Sequence, residues 1–199
     1  MSEHVPMLKL PVGERDHIQG SLEAKVTLVE FGDYQCPYCG EAYGIVKSVQ
    51  EKYKEDLRFV FRNFPLTEVH PHAEVGAEIA EASAAQGKFW EMHDFIYEHQ
   101  PHLSKIDFFL EYAEKSLRLD TKRMGEEIAN HRYLQRIRED FSTGVRSGVN
   151  GTPTFFINDF RHNGDYQFET FVAAIDSILE NPVAKPSAKS KMRKKVRAK

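Results

Sequence analysis

Residues 26–31, VTLVEF, form an unbroken apolar and β-branched run that leads through GDYQ straight into CPYCG. The run reads as a buried strand. The segment after the cysteines, EAYGIVKSVQEKY, carries Tyr43, Val46, Val49 and Tyr53 at roughly helical spacing, with Gly44 as its weak point. A buried strand, a cysteine pair and a helix thus follow one another without a break. This succession constrains the fold most: it demands an α/β unit with two thiols where the strand hands over to the helix.

That position suits thiol–disulfide exchange, which needs an attacking thiolate and a resolving thiol within bonding reach. A helix N-terminus offers unpaired N–H groups and the positive end of the helix dipole, and both stabilise a thiolate. Cys36, at the exposed edge before Pro37, is therefore expected to have a lowered pKa and to act as nucleophile. Cys39, inside the first turn, is the expected buried resolving thiol. Pro37 has no N–H to lose and fits the first helical position. An inert pair and a zinc site are the alternatives. The chain has only these two cysteines, and its nine histidines are scattered, with His70 and His72 in a proline-containing turn. Half a zinc site is therefore missing and no metal is assigned. Two cysteines this close do not make a disulfide framework either.

Residues 57–61, LRFVF, read as a second buried strand. The stretch 66–147 reads as all-helical. His72–Gln86 has a small-residue face of Ala73, Ala77, Ala80 and Ala84. Phe89–His99 and Ile106–Leu117 are amphipathic, and a helix capped by Asp120 is expected to reach about Val145. The β pattern resumes at Thr154–Asn158, with a short return strand expected within Asn158–Gly164. Asp165 is the expected cap of a last helix, Phe168–Leu179, which Asn181 and Pro182 end. Gly151-Thr152-Pro153-Thr154 stands directly before TFFIN, where a proline is otherwise awkward. A cis Thr152–Pro153 bond would give a tight turn there. Such a turn would face the dithiol and offer the Thr152 backbone to a substrate chain.

Taken together, VEFGDYQCPYCG, the separate GTPTFFIN, the helical block between them, HPHAEVGAEIAEASAAQGKFWEMHDFIY and GDYQFETFVAAID resemble the DsbA-like branch of the thioredoxin superfamily over roughly residues 14–180. The resemblance implies an α/β thioredoxin fold with an inserted all-helical domain. Residues 1–65 and 148–181 would form the thioredoxin part, 66–147 the insertion, and 182–199 a basic disordered tail. It carries over Cys36 as nucleophile, Cys39 as resolving thiol and Pro153 as the cis-proline. Glu30, six residues before Cys36, stands where this branch often keeps a buried acid, and there it would help move the proton of Cys39. An idle carboxylate at the strand edge is the alternative. Thr152, Tyr38 and Pro37 are the expected substrate contacts. The dipeptide Pro37-Tyr38 is that of glutaredoxins, not the Pro-His of periplasmic DsbA. It points to a couple nearer the roughly −200 to −230 mV of glutaredoxins than a strong oxidase.

The implied partners are protein or small-molecule disulfides and thiols. No cofactor is expected, with glutathione a candidate co-substrate. No stretch approaches the ~20 apolar residues of a membrane span. The opening MSEHVPMLKLPVGERDHIQG lacks a basic start followed by an apolar run, so the chain as given reads as cytoplasmic. Residues 184–199 hold eight Lys and Arg and no acid, which leaves nineteen basic against thirty acidic residues in 1–183, a net charge of −11. The tail has no interleaved aromatic residue, so nucleic acid is not an expected partner. No oligomeric state is implied. A chaperone or binding module with a regulatory dithiol, and a glutathione transferase of the kappa type, are the rival functional classes. Phe89, Trp90 and Met92 line either a substrate groove or the insert core. Tyr34 either contacts substrate or packs, and Asp33 is either a capping group or a plain loop acid.

Overall fold

The computed structural model describes residues 6–181, and the basic segment 182–199 lies outside them. The strands are β1 (His17–Gly20), β2 (Val26–Gly32), β3 (Leu57–Asn63), β4 (Thr154–Ile157) and β5 (Phe160–Arg161). The helices are α1 (Pro37–Tyr53), α2 (Ala73–Ala84), α3 (Phe89–Glu98), α4 (Ile106–Lys115), α5 (Thr121–Ala129), α6 (Leu134–Arg146) and α7 (Phe168–Glu180). One sheet runs in the order β1-β3-β2-β4-β5. Strands β2 and β3 are parallel and joined by α1, while β1, β4 and β5 are antiparallel to their neighbours. Helices α2 to α6 all stand between β3 and β4.

Central β2 is buried at every position because both faces of the sheet are covered. Its side chains alternate between two cores. Val26 and Leu28 join the cluster that includes Val46 and Val49 of α1 and Phe171 and Ile175 of α7. Val29 and Phe31 join Val60, Phe64, Val149 and Phe156 on the other side, against Phe141 of α6. The same alternation places Glu30 on the α1 side. The small face of α2 permits the close packing its sequence suggests. A Cβ on Gly76 would lie 2.9 Å from Leu103 and 3.0 Å from the Tyr34 Cβ, so this helix lies directly on the loop before the cysteines. Buried polar groups fasten the helices to the sheet. Asn63 donates to Glu81 at 2.9 Å and, through its backbone, to Asp140 at 3.2 Å, while Arg15 pairs with Asp140 at 2.9 Å.

One strand was not expected, and two expectations need correction. Strand β1 has no sequence signal, because HIQG is short, half-buried and carries a single aliphatic residue. The helix expected from Asp120 to Val145 is two helices: Asp120 does cap α5, accepting from Arg123 N at 2.9 Å, but the chain turns at Asn130–Tyr133 with His131 at φ 50°. The turn lets α6 swing onto β3. The residue preceding α7 is Gln167, and Asp165 instead braces the turn before it, accepting from the Gln167 N–H and the Thr170 hydroxyl.

Candidate active site

Both cysteines sit where β2 gives way to α1. Cys36 is the residue that opens the helix, with extended backbone (φ −68°, ψ 122°), and Pro37 is its first helical residue. Pairing of Phe31 with Thr154 brings the start of β4 alongside the end of β2. The Thr152–Pro153 bond is cis, and the Cys36 thiol donates to the Thr152 carbonyl at 3.4 Å. Cys36 is consequently only 3% exposed, against 0% for Cys39. The expected exposed edge is thus a covered one, with the Thr152–Pro153 turn lying over the sulfur.

The two thiols differ in their electrostatics. The Cys36 pKa falls to about 6, chiefly because the Cys39 thiol hydrogen-bonds to it; burial opposes this, and the Thr152 side chain and the N–H groups of Cys39 and Tyr38 reinforce it. Thr152 Oγ1 is buried and has no hydrogen-bond partner. Burial, its hydrogen bond to Cys36, and the charges of Glu30 and Cys36 push the Cys39 thiol well up. The Asp33 N–H points at the Cys39 sulfur at 3.5 Å. The helix N-terminus contributes, but the neighbouring thiol is the larger cause.

Glu30 is 2% exposed, on the central strand β2. Burial, followed by the Cys36 charge, raises its pKa to about 8, and its Oε1 has no hydrogen-bond partner. Tyr97, on α3, has an equally unpartnered hydroxyl and feels the charges of Cys39 and Glu30. Asp33 braces the loop before α1 and does not cap the helix, whose opening residue Cys36 carries no side-chain cap. Asp33 Oδ1 accepts from the N–H groups of Gln35 (2.7 Å) and Cys36 (3.2 Å), and its Oδ2 from Leu66 N (2.8 Å) while meeting His70 Nδ1 at 2.8 Å.

Cys36, Cys39, Glu30, Pro37, Tyr38, Thr152 and Pro153 are thus brought to one end of the sheet. The groove reading of Phe89, Trp90 and Met92 is not borne out. Phe89 and Met92 are buried core, and Trp90 is half-buried, with its indole N–H on the Ile18 carbonyl at 3.2 Å. Tyr34 is core as well, its hydroxyl 2.9 Å from His93 Nδ1. Tyr38 is the exposed tyrosine, at 58%. The residue that sequence reasoning missed is Gln100, whose side-chain amide donates to the carbonyls of Tyr34 (2.8 Å) and Cys36 (3.0 Å). A lone glutamine between helices carries no motif.

A family model described as thioredoxin matches residues 13–177. The chain belongs to this thioredoxin family. Its fold is the DsbA-like form. BdbD from Bacillus subtilis superposes with a TM-score of 0.78 at 20% identity, covering 89% of this chain and all of that one. Wolbachia pipientis α-DsbA1 gives 0.73 at 21% identity, covering 87% and 94%. Among curated proteins, the Na(+)/H(+) antiporter NhaA 1 of Salinispora arenicola is 46% identical over 187 residues, 94% of this chain but 28% of that protein. The chain spans little more than a quarter of such relatives. No helix among the described residues is long and apolar enough to cross a membrane.

Proposed function

We propose that the chain is a thiol–disulfide oxidoreductase that works through Cys36 and Cys39. One arrangement carries the reading: two thiols at the start of α1, Cys36 facing the Thr152 carbonyl at 3.4 Å and Cys39 buried behind it, with the Cys36 pKa lowered to about 6 and that of Cys39 pushed well up. At pH 7 Cys36 is then thiolate over thiol by about ten to one, while Cys39 keeps its proton.

The Cys36 thiolate attacks one sulfur of a target disulfide. The Cys36–target S–S bond forms, the target disulfide breaks, and the departing thiolate takes up a proton. The Cys36 negative charge disappears in this step. That charge raises the pKa of both Glu30 and Cys39. Its loss lowers both values, though burial remains the larger cause at Glu30; Glu30 supplies the proton that the departing target thiolate takes up, and the carboxylate so formed accepts the Cys39 proton. The Cys39 thiolate then attacks Cys36, closing the Cys36–Cys39 disulfide and releasing the second target thiol. The target disulfide gains two electrons and the protein dithiol loses two. The reverse reaction oxidises a target dithiol, and the partner's potential selects the direction. Pro153 and Thr152 form the wall facing the sulfur, with Pro37 and Tyr38 beside it. Targets are protein or small-molecule disulfides and thiols, with glutathione a candidate co-substrate.

Insulin reduction with dithiothreitol as terminal reductant tests the proposal. Wild type should accelerate precipitation of the insulin B chain, and Cys36→Ser should fall to the uncatalysed rate. Full activity in Cys36→Ser would overturn the assignment.

A further inference from the structure

The surface beside Cys36 carries a feature that disulfide chemistry alone does not need. Tyr38 and Glu41 stand three apart on the first turns of α1, on a common face. Both are exposed. The half-buried Tyr166, just before α7, reaches across and donates its hydroxyl to Glu41 Oε2 at 3.1 Å. Burial and that hydrogen bond raise the Tyr166 pKa, and the charges of Glu41, Tyr38 and Cys36 add to it. Glu41 forms no ion pair among the described residues. The nearest α1 cation to its C-terminal side, Lys47, is held by Asp94 at 2.7 Å. A carboxylate without an ion pair, held by the Tyr166 hydroxyl and three residues along the helix from the exposed Tyr38, thus stands on the first turns of the helix that Cys36 opens.

We propose that Glu41, Tyr38 and Tyr166 form a subsite for a positively charged side chain next to the reacting cysteine of a polypeptide substrate. The inference rests on the thiol-exchange reading and names the substrate class for that same site. The carboxylate attracts the cation and the tyrosine rings accept it on their faces. The Tyr166 hydroxyl removes the freedom Glu41 would otherwise lose on binding. Glutathione, with two carboxylates and one ammonium, is disfavoured.

The test uses two peptides, each with one cysteine held in a mixed disulfide with β-mercaptoethanol, flanked by two lysines in one and two glutamates in the other. Rate constants for attack by the reduced protein are measured by rapid mixing at low salt. The lysine peptide should react about tenfold faster. Glu41→Gln should cut that ratio severalfold and Glu41→Lys should invert it. Tyr166→Phe should lie between wild type and Glu41→Gln. Glu126→Gln, which removes one acid far from the site, should leave the ratio unchanged and so separates the subsite from overall charge. Equal rates for both peptides, or a ratio indifferent to Glu41→Gln, overturns the subsite and leaves the exchange reading standing. No reaction of wild type with either peptide overturns the exchange reading itself.

Discussion

Replacing Glu30 with glutamine should make the reduced protein more stable, by an amount that grows with pH. The carboxyl is fully buried, its Oε1 lacks a partner, and its pKa is raised from 4.5 to about 8. Below pH 4.5 the folded and unfolded states both hold the proton, so ionisation costs nothing. Between pH 4.5 and 8 the folded state holds a proton that the unfolded chain has released, so stability falls by about 1.4 kcal/mol per pH unit. The accumulated loss is about 3 kcal/mol at pH 7 and about 5 kcal/mol above pH 8, at which point Glu30 ionises in the folded state too. Glutamine is nearly isosteric with the protonated carboxyl and does not titrate. Urea unfolding of wild type and Glu30→Gln under a phosphine reductant, at pH 5, 6, 7 and 8, reads the difference directly. The two proteins should be within about 1 kcal/mol at pH 5 and diverge steadily to pH 8. Parallel stability curves, with no divergence, would refute the claim that Glu30 is held protonated by burial.

Other expectations follow from the same geometry. Iodoacetamide should modify Cys36 with a rate that is half-maximal near pH 6, and Cys39 should stay unmodified through neutral pH; mass spectrometry of the labelled peptides checks both. Gln100→Ala removes two amide donations to the carbonyls around Cys36 and should cost about 1–2 kcal/mol in denaturant unfolding. Equilibration against glutathione should place the Cys36–Cys39 couple nearer roughly −200 to −230 mV than the −120 mV of a strong oxidase.

The sequence shows plainly what depends on contiguous residues. VTLVEF carries enough β-branched apolar residues to be read as a buried strand, and it brought the dithiol to a helix start. The proline of GTPT was legible because an unexplained proline before a strand calls for a special turn. Glu30 was visible by position, but its burial follows from which face of β2 lies under α1. What depends on distant contacts was not legible. Strand β1 exists because β3 offers it an edge, with His17 opposite Phe61, not because HIQG prefers extension. Gln100 and Tyr166 reach the site from elements remote in the chain. The exposure expected for Cys36 failed for a related reason: local position predicts an open helix edge, and the turn more than a hundred residues later covers it.

Trapping the covalent intermediate tests the central claim most directly. Cys39→Ser, reduced and mixed with oxidised insulin, should accumulate an insulin chain joined through a disulfide to Cys36, visible by non-reducing electrophoresis and mapped by peptide mass spectrometry. Cys36→Ser should give no such adduct. An adduct that forms in Cys36→Ser through Cys39, or none in either variant, would contradict the account.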